Sequence, residues 1–287
     1  MMADYRLCAF ADEASPMIDG QIEALKRNGV GLLEIRGVDG VNIADITLEK
    51  AKSVREKLAA NGISVWSLGS PYGKINIKDD FGAHLDKFRH GLELCSALGC
   101  GRIRLFSFYV DGNTGDAIFD EVCGRLARFS EEAKAAGVVL CHENEKGIFG
   151  EKAAECVKIH RALPDIKAVF DPANFVQAGE DTVAAMEMLA PYVDYMHIKD
   201  ALKGSGEIVP AGRGDGNIER LLGVFKKGVL TVEPHLRVFA GLEALEQAGE
   251  KSSIGNAYKT SDEAFDAAVS AIKNVITKQT KEGFKEK

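Results

Sequence analysis

The chain has 287 residues, of which 46% are hydrophobic and 28% charged, and its formal net charge is −7. This composition is typical of a globular protein and excludes a disordered chain. The 43 acidic residues outnumber the 36 basic ones, which disfavours nucleic acid as the main partner because nucleic-acid-binding domains usually carry a basic excess. No apolar run approaches the roughly twenty residues that a membrane span needs.

The cysteines and the first thirty residues bear on the compartment. Residues 1–30 contain no uninterrupted apolar segment of the kind found in secretory signal peptides. The six cysteines are scattered, and no two form a Cys-x-x-Cys pair. We therefore expect reduced thiols and a cytoplasmic protein.

Short segments of β-type residues alternate along the chain with longer segments of helical periodicity. The helical segments end at Asn-Gly or Gly, a C-cap signal, directly before the next strand. Strands separated by helices pair in parallel. The eight predicted strands are Tyr5–Phe10, Gly31–Arg36, Ile63–Leu68, Arg102–Phe106, Val138–Glu143, Ala168–Asp171, Tyr195–Lys199 and Val229–Glu233.

Eight such units predict an α/β fold, a (β/α)8 TIM barrel that forms a single domain over residues 1–287. An open doubly wound sheet is the structural alternative. The Gly-x-Gly-x-x-Gly turn that dinucleotide-binding sheets carry after the first strand is absent from residues 11–16.

Two segments fall outside the alternating pattern. The 235–260 connection is long and irregular, which is typical of a functional or disordered loop, and it could be a lid or a subunit contact. A closing helix follows, and because Ser261 is followed three residues on by Ala264, no full capping box is expected there. Residues 280–287 are expected to form a disordered basic tail.

Ligand-type side chains stand at the ends of predicted strands five to eight: Glu143, Asp171, His197 and Glu233. Each alone could be a surface residue or a salt-bridge partner, but all strand C-termini of a parallel barrel lie on one face, so the four should gather at one mouth. Carboxylates and an imidazole that converge in a partly dry pocket call for a cation. Oxygen-rich ligation with one imidazole favours Mn²⁺, with Zn²⁺, Co²⁺ or Mg²⁺ as alternatives.

Four sequence runs around these residues resemble the xylose isomerase-like TIM-barrel superfamily, and within it the sugar phosphate isomerase/epimerase group. The resemblance covers essentially the whole chain, with strong motifs in the second half and weak ones in the first. It implies that the four candidates hold one divalent metal ion and that Glu143 and Glu233 also form the acid/base pair. The runs are His142-Glu143-Asn144-Glu145, Phe170-Asp171-Pro172-Ala173-Asn174-Phe175, Met196-His197-Ile198-Lys199-Asp200 and Val232-Glu233-Pro234-His235-Leu236.

The same superfamily contains zinc-dependent apurinic endonucleases, which hold three metals. Where those enzymes have a ligand histidine three residues after the strand-six aspartate, this chain has Asn174. Their Asp-x-His pair before the glycine turn falls near Gly206 and Ile208, and the ends of predicted strands three and four offer no histidine. These departures predict one metal rather than three and disfavour DNA repair.

The implied activity is isomerisation or epimerisation of a small ketose, keto-acid or inositol-type substrate. A divalent metal that chelates a carbonyl and a neighbouring hydroxyl oxygen stabilises the enediolate formed when the α-proton leaves. Two glutamates can then exchange that proton. A metal-dependent dehydratase or lyase acting on a keto-sugar or keto-inositol is the alternative; an endonuclease and a catalytically silent sugar-binding barrel are weaker ones. The expected partner is a small-molecule sugar or keto-acid, not nucleic acid or a membrane, and a homodimer is left open.

Several residues near the strand ends are candidates for substrate contact. Asn174 lies one helical turn beyond Asp171, and Lys199 lies on the strand face of His197, where it could instead pair with Glu233 or Asp200. His235 is either a partner of the metal ligands or a lid residue.

Three more candidates are less tightly tied to the strand ends. Arg213 stands in a Gly-rich turn and could anchor a carboxylate, phosphate or hydroxyl, although the turn lacks the strand and lysine of a P-loop. Glu34, on predicted strand two, and Ser70, after strand three, could contact substrate. For both we favour the alternative of a salt bridge or hydrogen bond inside the barrel.

Overall fold

Eight parallel strands close into a barrel in the computed structural model, which describes residues 4–240, 242, 253–255 and 257–280. Around the barrel each strand neighbours the next in the chain, and the first strand pairs with both the second and the eighth. This closure confirms the predicted TIM barrel and excludes the open sheet. The strands are β1 (Asp4–Ala9), β2 (Leu32–Ile35), β3 (Ser64–Gly69), β4 (Arg102–Leu105), β5 (Val139–Glu143), β6 (Lys167–Phe170), β7 (Val193–Ile198) and β8 (Lys227–Val232).

Helices cover the outside of the barrel between successive strands. Two short antiparallel ribbons, Gly37–Val38 with Val41–Asn42 and Asp200–Ala201 with Ile208–Val209, decorate the carboxyl-terminal face. The helices are α1 (Ile18–Arg27), α2 (Leu48–Ala60), α3 (Phe81–Leu98), α4 (Asp116–Ala135), α5 (Ala153–Ala162), α6 (Pro172–Gln177), α7 (Thr182–Leu189), α8 (Ile218–Phe225) and α9 (Ser261–Thr280).

The start of α9 corrects one expectation. Glu263 N–H donates to the Thr260 hydroxyl at 3.1 Å, and Thr260 N–H donates back to the Glu263 carboxylate at 3.3 Å. This reciprocal pair is a capping box, so the prediction of none was wrong. The capping residue is Thr260 rather than Ser261, because Ser261 is already the first residue of the helix.

Several predicted strands extend one residue too far at the carboxyl end. At these positions the strand itself has ended, so the side chains stand at the mouth of the barrel. The residues are Phe10, Arg36, Phe106, Asp171, Lys199 and Glu233.

The inside of the barrel is layered because side chains two residues apart on a strand share a face. One buried layer contains Leu32, Cys141 and Tyr195, together with Cys8, Val169 and Val229. Two residues further along the same strands stand Glu34, Glu143 and His197. The barrel interior therefore changes from apolar packing to a charged layer as it approaches the carboxyl-terminal mouth.

Parts of two predicted segments lie outside the described residues. In the 235–260 connection these are residues 241, 243–252 and 256, and in the predicted tail they are residues 281–287. Among the described residues, no helix is both long enough and apolar enough to cross a membrane.

Candidate metal and catalytic site

The four predicted ligands converge at the carboxyl-terminal mouth. Glu143 ends β5 and His197 lies one residue before the end of β7, while Asp171 and Glu233 directly follow β6 and β8. One ligand atom from each lies within 4.8 Å of the others. All four side chains are buried, with at most 5% of the residue exposed.

Within this cluster, the carboxylates are paired with His197 and Lys199. His197 Nδ1 lies 3.0 Å from Glu143 Oε1 and 3.5 Å from Glu233 Oε2. The Lys199 ammonium lies 3.1 Å from both Asp171 Oδ2 and Glu233 Oε2. No well-directed hydrogen bond reaches Asp171 Oδ2 from the described residues, although the atom is fully buried. A buried carboxylate oxygen that accepts no well-directed hydrogen bond is a natural ligand for a cation.

The pKa values of the cluster residues reflect their burial and the charges of their neighbours. Burial would raise the pKa of Glu143, but the charges of His197 and Arg104 offset this and lower it to about 2. Burial and the neighbouring carboxylates raise the pKa of Asp171 to about 6, against the opposing effect of Lys199. Burial would lower the pKa of His197, but Glu143 and Glu34 raise it to about 10. A divalent cation would therefore have to displace a proton from His197 in order to bind its imidazole.

The charge balance of the mouth fits a divalent cation. Carboxylates outnumber the fixed positive charges, so bringing all of them together without further positive charge is electrostatically costly. Three carboxylates and one imidazole form a ligand set that borderline divalent metals accept. The carboxylates are Asp12, Glu13, Glu34, Glu143, Glu145, Asp171 and Glu233, and the fixed cations are Arg36, Lys74, Arg104 and Lys199.

A guanidinium clamp that the sequence reasoning missed holds Glu233. Arg36, the residue after β2, lies 3.0 Å from Glu233 Oε1, 2.9 Å from Asp12 Oδ2 and 3.0 Å from Glu13 Oε1. The Arg36 and Glu233 side chains are 3% and 6% exposed, so this pair is desolvated. The sequence did carry a signal for this contact. Charged residues also follow the ends of β1 and β2, namely Asp12, Glu13 and Arg36.

A second guanidinium holds Glu143. Arg104 on β4 donates from Nη1 to Glu143 Oε2 at 2.8 Å. The Phe10 ring lies between the two clamps, 4.4 Å from the Arg36 guanidinium carbon and 5.5 Å from that of Arg104. The edge-on contact of Phe10 with the His197 ring, at 5.1 Å between centroids, completes the apolar wall under the cluster.

Two predicted substrate contacts, Asn174 and Lys199, also interact with the metal-ligand candidates. Asn174 donates from Nδ2 to the Asn144 carbonyl at 2.9 Å and to Glu143 Oε1 at 3.4 Å, while its backbone N–H donates to Asp171. Lys199 reaches the mouth as expected and pairs with Glu233, and with Asp171 rather than the suggested Asp200. Both residues remain candidates for substrate contact.

Glu34 and Ser70 are fully buried and bonded inside the barrel. Glu34 Oε2 lies 3.2 Å from His197 Nε2, and Glu34 Oε1 accepts from the Tyr195 hydroxyl at 2.8 Å. The Ser70 hydroxyl donates to the Arg104 carbonyl at 2.5 Å and accepts the Tyr72 N–H. Both therefore follow the favoured alternative of internal hydrogen bonds.

Arg213 lies in an exposed turn, and its predicted contact with substrate stays a prediction. The Arg213 side chain is exposed in a groove beside α9, together with Ala271 and Val275. The backbone N–H groups of Gly212, Gly214 and Gly216 all donate to the Asp200 carboxylate, at 2.8–3.0 Å. Because these three N–H groups already donate to Asp200, they are not available to bind a phosphate.

His235 lies beside Glu233, as a partner of the metal ligands would. Its backbone N–H donates to Glu13 Oε2 at 2.6 Å, and its Nδ1 lies 3.0 Å from Glu13 Oε1. Ligand atoms of Glu13, Glu233 and His235 also lie within 4.8 Å of one another. Arg36 already donates to Glu13 and Glu233, so this second group is better described as an ion-pair network than as a metal site.

Comparisons with known proteins assign the family. Residues 22–254 match the family of the xylose isomerase-like TIM barrel, and the chain belongs to that family, which confirms the predicted superfamily. The uncharacterized protein YihM from Escherichia coli (strain K12) is 26% identical over 104 residues, which are 36% of this chain and 31% of YihM. The matched region thus spans about a third of that relative.

Solved structures of enzymes from the sugar isomerase, epimerase and dehydratase group share the fold. An L-ribulose 3-epimerase superposes with a TM-score of 0.74 at 16% identity, over 98% of this chain and 97% of that one. The IOLI protein with a bound zinc atom gives 0.73 at 18% identity, over 95% and 98%. The probable 3-DHS dehydratase AsbF from Bacillus anthracis, involved in petrobactin synthesis, gives 0.71 at 15% identity, over 94% and 98%.

Proposed function

We propose that this protein is a divalent-metal-dependent isomerase or epimerase of a small ketose, keto-acid or inositol-type substrate. The observation that carries the proposal is the convergence of Glu143, Asp171, His197 and Glu233 within 4.8 Å of one another at the mouth of the barrel. These four residues would hold the cation. When bound, it would polarise a substrate carbonyl and stabilise the negative charge that develops on its oxygen.

Glu143 and Glu233 are proposed to move the proton. Both carboxylates reach His197 Nδ1, and they come from strands β5 and β8 on either side of β7 and β6 around the ring. The glutamate that begins as a carboxylate takes the α-proton, and the other, which begins protonated, gives its proton to the opposite face of that carbon or to the neighbouring carbon. Arg104 and Arg36 hold the two carboxylates by their other oxygens, which limits their rotation during the transfer.

The surroundings of the glutamates favour this chemistry. Phe10 and Phe106 are fully buried at the mouth, and Phe239 packs edge-on against His235 with centroids 5.4 Å apart. These aromatic walls lower the local dielectric constant, which strengthens each charge interaction.

A dehydratase or lyase is the second candidate, and Lys199 favours it. Proton transfer between two glutamates needs no further acid, yet the Lys199 ammonium lies 3.1 Å from Glu233 inside the mouth. An acid at this position could protonate a departing β-hydroxyl after the α-proton has been removed. The two candidates share their first step and differ only in the product.

Elemental analysis and isotope exchange test the proposal. The purified protein, incubated with Mn²⁺ or Zn²⁺ and desalted, should retain one metal ion per chain, and Asp171→Asn should retain much less. Incubation with ketoses, keto-acids and inososes in D₂O should replace an α-proton by deuterium, as measured by NMR. Glu143→Gln is the matched control, and it should abolish exchange while the protein stays folded.

The outcomes separate the alternatives. A rearranged sugar as the product supports the isomerase, and loss of water supports the dehydratase. Wild-type protein that retains no divalent metal, or a Glu143→Gln variant that exchanges as fast as wild type, contradicts both. Three metal ions per chain would favour the endonuclease alternative.

A further inference from the structure

A buried carboxylate that the proposed proton transfer does not use lies directly behind the imidazole of the metal cluster. Glu34 on β2 is fully buried, and its Oε2 lies 3.2 Å from His197 Nε2. The same ring presents Nδ1 to the ligand carboxylates, 3.0 Å from Glu143 Oε1. The two nitrogens of His197 therefore face different partners, one inside the barrel and one at the mouth.

The chemistry of the two sides determines which nitrogen should carry the hydrogen. A carboxylate can only accept, so Glu34 favours the ring form that has its N–H on Nε2. That form leaves the lone pair on Nδ1, the nitrogen that lies beside Glu143 and Glu233. An imidazole needs this lone pair to bind a cation, and metal-bound histidines commonly donate their other N–H to a carboxylate.

The position of Glu34 is itself fixed by Tyr195. The Tyr195 hydroxyl donates to Glu34 Oε1 at 2.8 Å and lies 3.4 Å from the Ser67 hydroxyl. The pairing of β2 with β3 shifts by one residue at Glu34, so that Leu33 pairs with Val65 and Glu34 with Ser67. Such a bulge redirects side chains, and here Trp66 packs edge-on against the Tyr195 ring while Ser67 reaches its hydroxyl.

We propose that Glu34 is a positioning residue, held by Tyr195, that orients His197 and directs its Nδ1 lone pair at the divalent cation. This inference rests on the proposed function because it requires the metal. It extends that function from the four ligands to a hydrogen-bonded relay running from Tyr195 through Glu34 to His197. The relay ties β2 to β7 across the interior of the barrel.

The test measures metal affinity directly, with Zn²⁺ alone as the probe and a chromophoric chelator as the competitor. Glu34→Gln keeps the volume of the side chain but loses the charged acceptor, and its Kd for Zn²⁺ should rise about 10-fold to 100-fold. Tyr195→Phe keeps the carboxylate and loses only its anchor, so its Kd should rise by a smaller factor. Glu145→Gln is the matched control, because Glu145 is a carboxylate of the mouth that pairs with Lys74 and not with a ligand.

A second measurement separates positioning from a general loss of structure. Side-chain ¹⁵N NMR of the zinc-loaded wild type should show a hydrogen on Nε2 of His197, assigned by its absence in His197→Gln. Urea unfolding of each metal-free variant reports its stability. A purely structural role would lower stability without changing the Kd.

The measured Kd values distinguish failure of this inference from failure of the proposed function. A Kd for Glu34→Gln at least tenfold above wild type, with Glu145→Gln within threefold, supports the inference. A Kd for folded Glu34→Gln within threefold of wild type overturns it and leaves the proposed function intact. A wild-type protein that binds no Zn²⁺ or Mn²⁺ overturns the proposed function and the inference with it.

Discussion

The two halves of the barrel contribute different parts of the same site. Strands β5 to β8 supply the four residues that can hold a cation, and they supply them at equivalent places, the strand ends. Asp171 pairs with Lys199 of the second half, whereas strands β1, β2 and β4 with their ends supply residues that hold Glu143, His197 and Glu233 in place. These supporting residues are Asp12, Glu13, Glu34, Arg36 and Arg104.

This division follows from the closure of the barrel. Glu233 lies 197 positions from Arg36 in the chain, yet β1 pairs with both β2 and β8 and so brings the two residues together. The second half alone would bring mutually repelling carboxylates into a dry pocket. The first half supplies guanidinium groups that offset this repulsion and leave the inner carboxylate oxygens directed at the centre.

The largest effect should come from the second half. Glu233→Gln removes a proposed acid/base group, so we expect kcat/KM on whichever substrate exchanges deuterium to fall by about 10²-fold to 10⁴-fold. Glu13→Gln, which alters a carboxylate of the supporting half, should cost less. Steady-state kinetics on metal-saturated protein measure kcat/KM for both variants. A smaller loss of kcat/KM for Glu233→Gln than for Glu13→Gln would contradict the placement of the acid/base group in the second half of the barrel.

Removing a clamp should mainly affect stability. Arg36→Met leaves Asp12, Glu13 and Glu233 without their shared partner, and breaking a buried ion pair costs about 3–5 kcal/mol. Arg104→Met frees one paired carboxylate, Glu143, and should fall at the lower end of that range. Urea unfolding measures both.

The exposed pair of Lys134 with Asp165 provides the control for the clamps. Lys134→Met should produce no measurable change, since both side chains are more than half exposed. Equal stability of Arg36→Met and wild type would show that the network around Arg36 does not stabilise the fold.

A smaller effect concerns a buried histidine on the outer side of the second half. His160 on α5 stacks on Tyr192 and lies beside His142, and burial lowers its pKa to about 4. The folded protein keeps His160 neutral while the unfolded chain protonates it below about pH 6.5. Stability is therefore lost as the pH falls from about 6.5 towards 4, by about 1 kcal/mol between pH 7.5 and 5.5.

His160→Phe tests whether His160 causes this loss of stability at low pH. The variant keeps a ring against Tyr192 but cannot titrate, so the difference in unfolding free energy between pH 7.5 and 5.5 should shrink by about 1 kcal/mol. Urea unfolding at both pH values gives the comparison, in which other titrating groups largely cancel. An unchanged difference would mean that His160 is already accessible to protons in the folded protein.

The sequence allowed prediction of one half of the site and not of the other. Glu143, Asp171, His197 and Glu233 stand at successive strand ends, a local pattern that needs only parallel pairing to be interpreted. Which side chain Arg36 clamps depends on barrel closure, on register and on the loop after β1, none of which is visible in a local pattern. For the same reason Glu34 could be placed inside the barrel, but its contact with His197 could not be foreseen.

The smallest expected effect concerns Arg213, an exposed residue of the glycine-rich turn. A glycine-rich turn with an arginine is typical of anion binding, but here Asp200 accepts the N–H groups of the turn and the arginine side chain faces α9. Arg213→Ala should therefore change kcat/KM by less than about twofold, because an exposed surface change rarely exceeds about 0.5 kcal/mol. Asp200→Asn should have the larger effect, since it weakens the hydrogen bonds that hold the same turn. A tenfold rise in KM for Arg213→Ala, with stability unchanged, would instead show that this turn moves over the mouth when substrate binds.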